Sequence, residues 1–262
     1  MDDRDKKPAV LFLHGFLGNG ADWRAVTAGL EQQFDCIALD LPGHGSAPPA
    51  SGLTFEAVAV DVLRQLSARG IARCAVVGYS MGGRLALYLA ATRPTRFDRV
   101  VLESASPGLK TKGARHQRRE NDERLARRLD AMACDDRGAF RTFLKAWYDQ
   151  PLFASLRGCP ERRAQLIERR LDNTPESLAA ALRCLSTGAQ RSLWKDLSSY
   201  TTPTLLIVGE WDRKYRMIAE EMSEQCPTIA VEVFSSCGHN VHFENPGGYT
   251  TALRAFLSSG ME

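Results

Sequence analysis

The sequence contains no apolar run long enough to cross a membrane. Apolar stretches such as Ala9 to Leu13 and Leu205 to Val208 span only a few residues, whereas a membrane-spanning helix needs roughly 20. The first residues are charged and lead through Pro8 into an apolar segment that is too short for a secretory signal. We therefore expect no membrane association and a cytoplasmic location.

Cysteine is present, but it is not paired along the sequence. The seven cysteines are scattered and odd in number, and none forms a Cys-x-x-Cys motif. This pattern favours reduced thiols over a disulfide framework or a zinc site. We expect free thiols, no bound metal and no cofactor.

An excess of one charge occurs only locally. The net charge is +3, yet the segment from Lys110 to Arg170 holds 16 Lys and Arg against 9 Asp and Glu, most of the basic residues being Arg. Lys-rich runs and a recognisable nucleic-acid-binding motif are missing, and Arg is suited to bidentate binding of carboxylates and phosphates. The expected partner is a small anionic molecule, with neither nucleic acid nor an obligatory protein partner.

Short apolar, β-branched segments alternate with longer amphipathic ones over most of the chain. This alternation predicts a mostly parallel sheet with flanking crossover helices, including helices near Trp23 to Gln32 and Phe55 to Ser67. The predicted strands are Ala9 to Leu13, Cys36 to Leu39, Cys74 to Val77, Val100 to Leu102, Thr204 to Val208 and Ile229 to Phe234.

The strand pattern is interrupted in the middle of the chain. Residues 106–198 contain only helical segments rich in Arg, Leu and Ala, separated by Gly and Pro. We expect an α/β core made of residues 1–105 and 199–262, with 106–198 inserted as a helical cap. Such an insertion usually covers the crevice at the carboxyl ends of the strands, where open α/β sheets bind ligands.

The strongest local motif is Gly78-Tyr79-Ser80-Met81-Gly82, which lies between a predicted strand and a helical segment. Glycine on both sides of a serine permits the sharp turn that exposes a nucleophilic hydroxyl above the sheet. A glycine-rich turn that merely connects strand and helix is the alternative. The strand-turn-helix context favours Ser80 as a catalytic residue.

A catalytic serine needs a base and an orienting carboxylate, expected in the order Ser, Asp, His. Asp212 follows the penultimate predicted strand and His239 follows the last. Glu210 is the alternative carboxylate and His242 the alternative base. At the end of the first strand, His14-Gly15-Phe16 offers the Phe16 N–H, which would form an oxyanion hole with the N–H of Met81.

These motifs together resemble the α/β-hydrolase fold. In detail the chain resembles the 2-succinyl-6-hydroxy-2,4-cyclohexadiene-1-carboxylate synthase family of menaquinone biosynthesis over nearly its whole length. The most specific features are Arg84, which follows the glycine-rich motif around Ser80, and the aromatic segment Trp147 to Phe153. The matching segments are Phe12 to Phe16, Asp40 to Gly45, Gly78 to Arg84, Ser106 to Leu109, Trp147 to Phe153, Gly238 to Asn240 and Glu244 to Pro246.

The resemblance implies a lyase that eliminates pyruvate from a tricarboxylate, 2-succinyl-5-enolpyruvyl-6-hydroxy-3-cyclohexene-1-carboxylate. The family's substrate-binding residues fall on Tyr79, Arg84, Arg118, Trp147 and Arg170. Several guanidinium groups suit such a substrate because they bind carboxylates in planar pairs. We expect all three arginines to face the Ser80 pocket, although each could instead form a surface or intrahelical ion pair.

Two features depart from this pattern. Only seven residues precede Pro8, too few for the antiparallel hairpin that often begins the fold, so we expect a reduced, all-parallel sheet. Arg191 follows Gln190 where many family members have proline. A carboxylesterase or C–C bond hydrolase with the same triad is the alternative enzyme, and a non-catalytic binding module of this fold is the alternative outside catalysis.

Overall fold

A computed structural model of the chain describes residues 7–133 and 135–259. Six strands form one parallel sheet in the order β2-β1-β3-β4-β5-β6. Both the parallel arrangement and the absence of an antiparallel strand within the described residues agree with the expectation from sequence. The strands are β1 (Ala9–Leu13), β2 (Asp35–Leu39), β3 (Cys74–Tyr79), β4 (Phe97–Glu103), β5 (Thr204–Gly209) and β6 (Ile229–Phe234).

Alternate side chains of each strand enter the two layers of core that cover the sheet. In β1, Leu11 and Leu13 face one layer, and Val10 and Phe12 face the other, as the two-residue period of a strand requires. The first layer is closed by α2 (Phe55–Ala68), α3 (Met81–Thr92) and α8 (Arg213–Gln225), and the second by α1 (Arg24–Thr27) and α10 (Pro246–Ser258).

The helix predicted from Trp23 to Gln32 is wrong in length. The structure has a 3-10 turn, Gly20–Trp23, followed by only four α-helical residues, Arg24–Thr27. Beyond them, Gly29 and Leu30 donate i→i−3 backbone bonds to Val26 and Thr27. Glycine has a low helix propensity, and α10 packs so closely on Gly29 that a Cβ there would crowd Thr250.

Between β4 and β5 the described residues form helices and turns but no strand, as expected for a helical cap. Outside this segment, a short helix α9 (Val241–Glu244) lies between β6 and α10. The cap has its own apolar core, to which Phe143, Leu166 and Leu178 contribute. Its helices are α4 (Lys112–Asp130), α5 (Arg137–Tyr148), α6 (Pro160–Arg170) and α7 (Pro175–Leu185), with a kinked 3-10 segment at Pro151–Gly158.

The six cysteines within the described residues are free thiols, and Cys134 lies outside them. In the same part of the chain, no helix is both long and apolar enough to span a bilayer.

Candidate active site

Ser80 lies in a strained turn between β3 and α3. Its backbone has φ 50° and ψ −103°, a conformation that costs a non-glycine residue energy and is found at nucleophile elbows. A Cβ on Gly82 would overlap the carbonyl oxygen of Leu13, so glycine is required where α3 approaches the end of β1. The Ser80 amide donates to the Glu103 carbonyl at 2.8 Å, which fixes the turn to β4.

The structure brings Ser80, His239 and Asp212 together at the carboxyl ends of β3, β6 and β5. His239 Nδ1 lies 2.6 Å from Asp212 Oδ2, and His239 Nε2 lies 3.2 Å from Ser80 Oγ. The side chains of His239 and Asp212 are each 2% exposed. Because an ionised carboxylate only accepts hydrogen bonds, Nδ1 donates to Asp212 and leaves Nε2 to accept the proton of Ser80.

The alternative base and carboxylate have other partners. His242 places Nδ1 2.7 Å from a Glu103 carboxylate oxygen, and its backbone N–H donates to the same carboxylate. Glu210 accepts the backbone N–H of Ser236 at 2.9 Å on the surface. Neither side chain is in hydrogen-bond contact with Ser80.

Two backbone N–H groups beside Ser80 fit the expected oxyanion hole. Met81 begins α3, and Phe16 follows the His14-Gly15 turn after β1. Neither N–H donates a hydrogen bond to another described residue. The turn is held by His14, whose Nε2 accepts the Leu41 N–H at 2.9 Å; burial lowers the pKa of His14, which favours the neutral ring that can accept this bond.

A cavity of about 790 Å³ lies between Ser80 and the cap. Two carboxylates, Asp122 and Asp212, are in its wall, and both are already engaged by Arg118 and His239. The cavity is therefore strongly positive, as a site for an anion would be. Its basic side chains are Arg84, Arg118, Arg124, Arg128, Arg213 and Lys214.

Arg84 reaches this cavity from the first turns of α3 and is 7% exposed. Its guanidinium donates to two neutral acceptors, Gln190 Oε1 at 3.0 Å and the Leu185 carbonyl at 2.6 Å. No carboxylate among the described residues forms an ion pair with it. Burial lowers the pKa of Arg84 to about 10, so the side chain remains a buried cation without a counter-ion at neutral pH.

Arg118 enters the cavity from the cap helix α4. Its Nε donates to both carboxylate oxygens of Asp122, at 2.8 and 2.9 Å, and Ser186 Oγ donates to the same carboxylate. The outer guanidinium nitrogens form no bond to another described residue, and the side chain is 40% exposed. Asp122 thus orients Arg118 and leaves its terminal N–H groups for a ligand.

Arg170 does not face the cavity, contrary to the expectation from sequence. It lies at the end of α6, with its side chain only 4% exposed, and its Nη1 is 2.7 Å from Asp22 Oδ1. Its Nε donates to the Tyr148 hydroxyl at 3.1 Å. Although burial opposes the charged form, Tyr148 and Asp22 raise the pKa of Arg170 above its usual value, as expected for a buried ion pair.

The two predicted aromatic contacts differ in position. Trp147 lines the cavity beside Phe16, with the ring centroids 5.2 Å apart. Tyr79 does not line it, because its ring packs between those of His239 and His242 at 5.4 and 5.0 Å. Burial raises the pKa of Tyr79 well above its ordinary value, so it stays protonated.

Sequence reasoning missed several residues of the cavity wall. Arg124 and Arg128 also line the cavity from α4, and their spacing of four residues, one helical turn, could have identified them as a pair. Lys214 follows the Asp212 loop, and burial, together with nearby Arg118, lowers its pKa. Asp22 carries no local signal, because only the tertiary fold places it beside Arg170.

In the loop after Gln190, Arg191 occupies the position where the family pattern has proline, and it is held by two contacts. Arg191 forms bonds of 2.9 to 3.0 Å with both carboxylate oxygens of Asp196 on the surface, and its guanidinium lies over the Tyr88 ring. Gln190 itself is fully buried and holds Arg84.

This sheet, elbow and cap are those of an α/β hydrolase, and the sequence profile of the α/β-hydrolase fold family matches residues 8–246. The 2-succinyl-6-hydroxy-2,4-cyclohexadiene-1-carboxylate synthase of Salmonella agona is 36% identical to this chain, over 95% of the chain and 94% of that protein. The chain belongs to this synthase family.

Two further similarities support this assignment. A solved structure described as MenH from S. aureus superposes with a TM-score of 0.90 at 31% identity, covering 98% of this chain and 96% of the other. The chloroplastic protein PHYLLO of Arabidopsis thaliana is 35% identical over 95% of this chain, which spans only 15% of that longer protein.

Proposed function

We propose that this chain is a lyase that eliminates pyruvate from 2-succinyl-5-enolpyruvyl-6-hydroxy-3-cyclohexene-1-carboxylate to give 2-succinyl-6-hydroxy-2,4-cyclohexadiene-1-carboxylate. The product is the compound after which its relatives are named. We further propose that residues 106–198 form the cap and that the protein is located in the cytoplasm.

The buried Arg84 guanidinium is the observation that carries this proposal. A buried cation without a counter-ion is costly, since its lost hydration is replaced only by two neutral acceptors. A substrate carboxylate would supply the missing charge. An esterase acting on an apolar acyl chain would gain nothing from such a group so close to its nucleophile.

Ser80, His239 and Asp212 would act as the base. Ser80 Oγ removes the ring proton α to the succinyl ketone while its own proton passes to His239 Nε2, and Asp212 stabilises the imidazolium that forms. The enolate oxygen accepts hydrogen bonds from the N–H groups of Phe16 and Met81.

Collapse of the enolate breaks the C–O bond to the enolpyruvyl group in a 1,4-elimination. The departing enolate takes up the proton held by His239 and leaves as pyruvate, which returns Ser80 and His239 to their starting protonation. Arg84 and Arg118 would hold two of the carboxylates during this step, one from the core and one from the cap. Arg124, Arg128 and Lys214 extend the positive charge along the cavity wall and would bring an anionic substrate towards Ser80.

The test is release of pyruvate from the purified enolpyruvyl substrate, measured through lactate dehydrogenase and the disappearance of NADH. A short-chain neutral ester serves as the competing substrate. We expect a higher kcat/KM for the tricarboxylate. A higher kcat/KM for the ester, with no pyruvate released, would establish the carboxylesterase alternative, and inactivity towards both would favour a binding module.

A further inference from the structure

A carboxylate that takes no part in the elimination accepts hydrogen bonds from the backbone of the loop that carries His239. Glu244, the last residue of α9, accepts the backbone N–H of Gly238 at 2.9 Å and that of Asn240 at 3.3 Å. These two amides flank His239 on either side. The Glu244 carboxylate therefore fixes the backbone on both sides of His239.

The same carboxylate is bonded by the cap. Ser155, in the kinked segment Pro151–Gly158, donates its hydroxyl to Glu244 Oε1 at 3.1 Å. The contact continues onto the loop itself, because any Cβ on Gly238 would overlap the Ser155 hydroxyl. Arg162, in the first turn of α6, donates to the Glu244 carbonyl at 3.0 Å, so two cap residues from consecutive elements meet at one residue of the core.

Ser155 and Glu244 lie outside the substrate cavity. Neither is in its wall, and both line a surface depression on the other side of the His239 loop, together with Arg162; Trp211 lies between this depression and the cavity and lines both. A change at either position thus leaves the groups that touch substrate in place. Ser155 and Glu244 therefore act on the reaction only through other residues, and the loop that carries His239 is the most direct route, since Glu244 accepts the amides on both sides of it.

The cap segment also reaches the imidazole directly. The Phe153 ring lies edge-on to His239, with the centroids 5.8 Å apart, and Phe153 and Ser155 belong to the same short 3-10 segment. A shift of this segment would move both the ring that packs on His239 and the hydroxyl that holds its loop.

We propose that Glu244 is a positioning residue through which the cap segment Pro151–Gly158 holds His239 in line with Ser80. Ser155 donates to Glu244, Glu244 accepts the two amides beside His239, and the 3.2 Å separation between His239 Nε2 and Ser80 Oγ depends on this chain of bonds. The inference rests on the proposed role of His239 as the base.

The test compares Ser155→Ala, Glu244→Gln and the double variant with a control, Ser177→Ala, another cap serine, whose hydroxyl bonds no other described residue. The readouts are kcat and KM for pyruvate release, the melting temperature, and the second-order rate at which a fluorophosphonate probe labels Ser80. Labelling depends on activation of Ser80 by His239 but requires no natural substrate. It therefore separates a failure of this inference from a failure of the proposed reaction.

We expect Ser155→Ala to lower both kcat and the labelling rate by about 3- to 10-fold and Glu244→Gln by about 10- to 30-fold, because sub-ångström displacement of a catalytic group costs this order of rate. KM should stay within about twofold, since neither substituted side chain lines the cavity. If Ser155 acts through Glu244, adding Ser155→Ala to Glu244→Gln lowers the rate no further.

Three results would overturn the inference. One is a Ser155→Ala protein that keeps wild-type kcat and labelling, another is a double variant in which the two losses multiply, and the third is an equal loss in Ser177→Ala. If Glu244→Gln does not fold, Ser155→Ala alone decides between the first result and the expected loss. A wild-type protein that the probe does not label would refute the triad and the inference with it.

Discussion

Replacing Arg84 by alanine should weaken catalysis mainly by weakening substrate binding. In the unliganded protein its bonds go to Gln190 and Leu185, and these are lost in the variant whether or not substrate is bound, so they cancel. What remains is the bond between the guanidinium and a substrate carboxylate. Truncating one partner of a buried, hydrogen-bonded charge pair costs about 2 to 4 kcal/mol, which is about 30- to 900-fold in kcat/KM.

The loss should appear mostly in KM. A carboxylate distant from the bond that breaks is held equally in the ground state and the transition state, and removing such uniform binding raises KM with little change in kcat. Arg84→Lys should recover only part of the loss, because an ammonium group cannot bind Gln190, Leu185 and a carboxylate in the planar arrangement that arginine allows.

The assay is pyruvate release over a range of substrate concentrations for wild type, Arg84→Ala and Arg84→Lys. Arg93→Ala is the control, since Arg93 follows the end of the same helix, is exposed and does not line the cavity. A kcat/KM for Arg84→Ala within threefold of the control would refute the argument that the buried Arg84 guanidinium binds a substrate carboxylate.

Four further outcomes are expected. Ser80→Ala should lower turnover by at least about 10³, because the serine and its base act as a unit; pyruvate release in single-turnover experiments measures this. Arg118→Ala should cost about 2 to 4 kcal/mol in kcat/KM and should also lower the melting temperature, because Asp122, whose side chain is 8% exposed, then keeps only Ser186 as a bonded partner among the described residues. An unchanged KM would exclude Arg118 from the site. Arg170→Ala should instead lower the free energy of unfolding by about 3 to 5 kcal/mol, because it leaves Asp22 buried and unpaired; urea unfolding tests this, and an unchanged midpoint with a raised KM would return Arg170 to the substrate site. Burial, with nearby His14, lowers the pKa of His44 from 6.5 to about 3, so the unfolded chain takes up this proton at a higher pH than the folded protein does. The free energy of unfolding should therefore fall by up to about 1.4 kcal/mol per pH unit as the pH drops from 6.5 towards 3. His44→Gln should flatten this slope in urea titrations at successive pH values.

The features that could be predicted from the sequence are those set by local rules or by the geometry of a parallel sheet. The turn around Ser80 requires glycine at Gly82. Arg84, which the family resemblance placed in the site, lies four residues after Ser80, one helical turn along the same face. Asp212 and His239 were expected near Ser80 because the carboxyl ends of parallel strands share one edge of the sheet, and the structure brings the three together.

The features that escaped prediction depend on pairing between distant segments. Nothing near Arg170 in the sequence indicates that Asp22 will neutralise it across 148 positions. The short helix after Trp23 likewise reflects the close approach of α10 to Gly29, a tertiary contact that helical periodicity does not record. Helix α4 is the intermediate case, since Asn121 and Leu125 follow from periodicity once the position of Arg118 is known, whereas Arg124 does not.

The triad alone does not decide between elimination and hydrolysis, because a serine with an imidazole at 3.2 Å can act as a nucleophile or as a base. The choice depends on what the cavity holds in front of it. Cations from the core and from the cap favour a substrate with several carboxylates, and anchoring it at two points would place an acidic ring C–H beside Ser80 rather than an acyl carbon. The chemistry of this hydrolase-type triad would then be selected by the charges that the core and the cap place around the cavity.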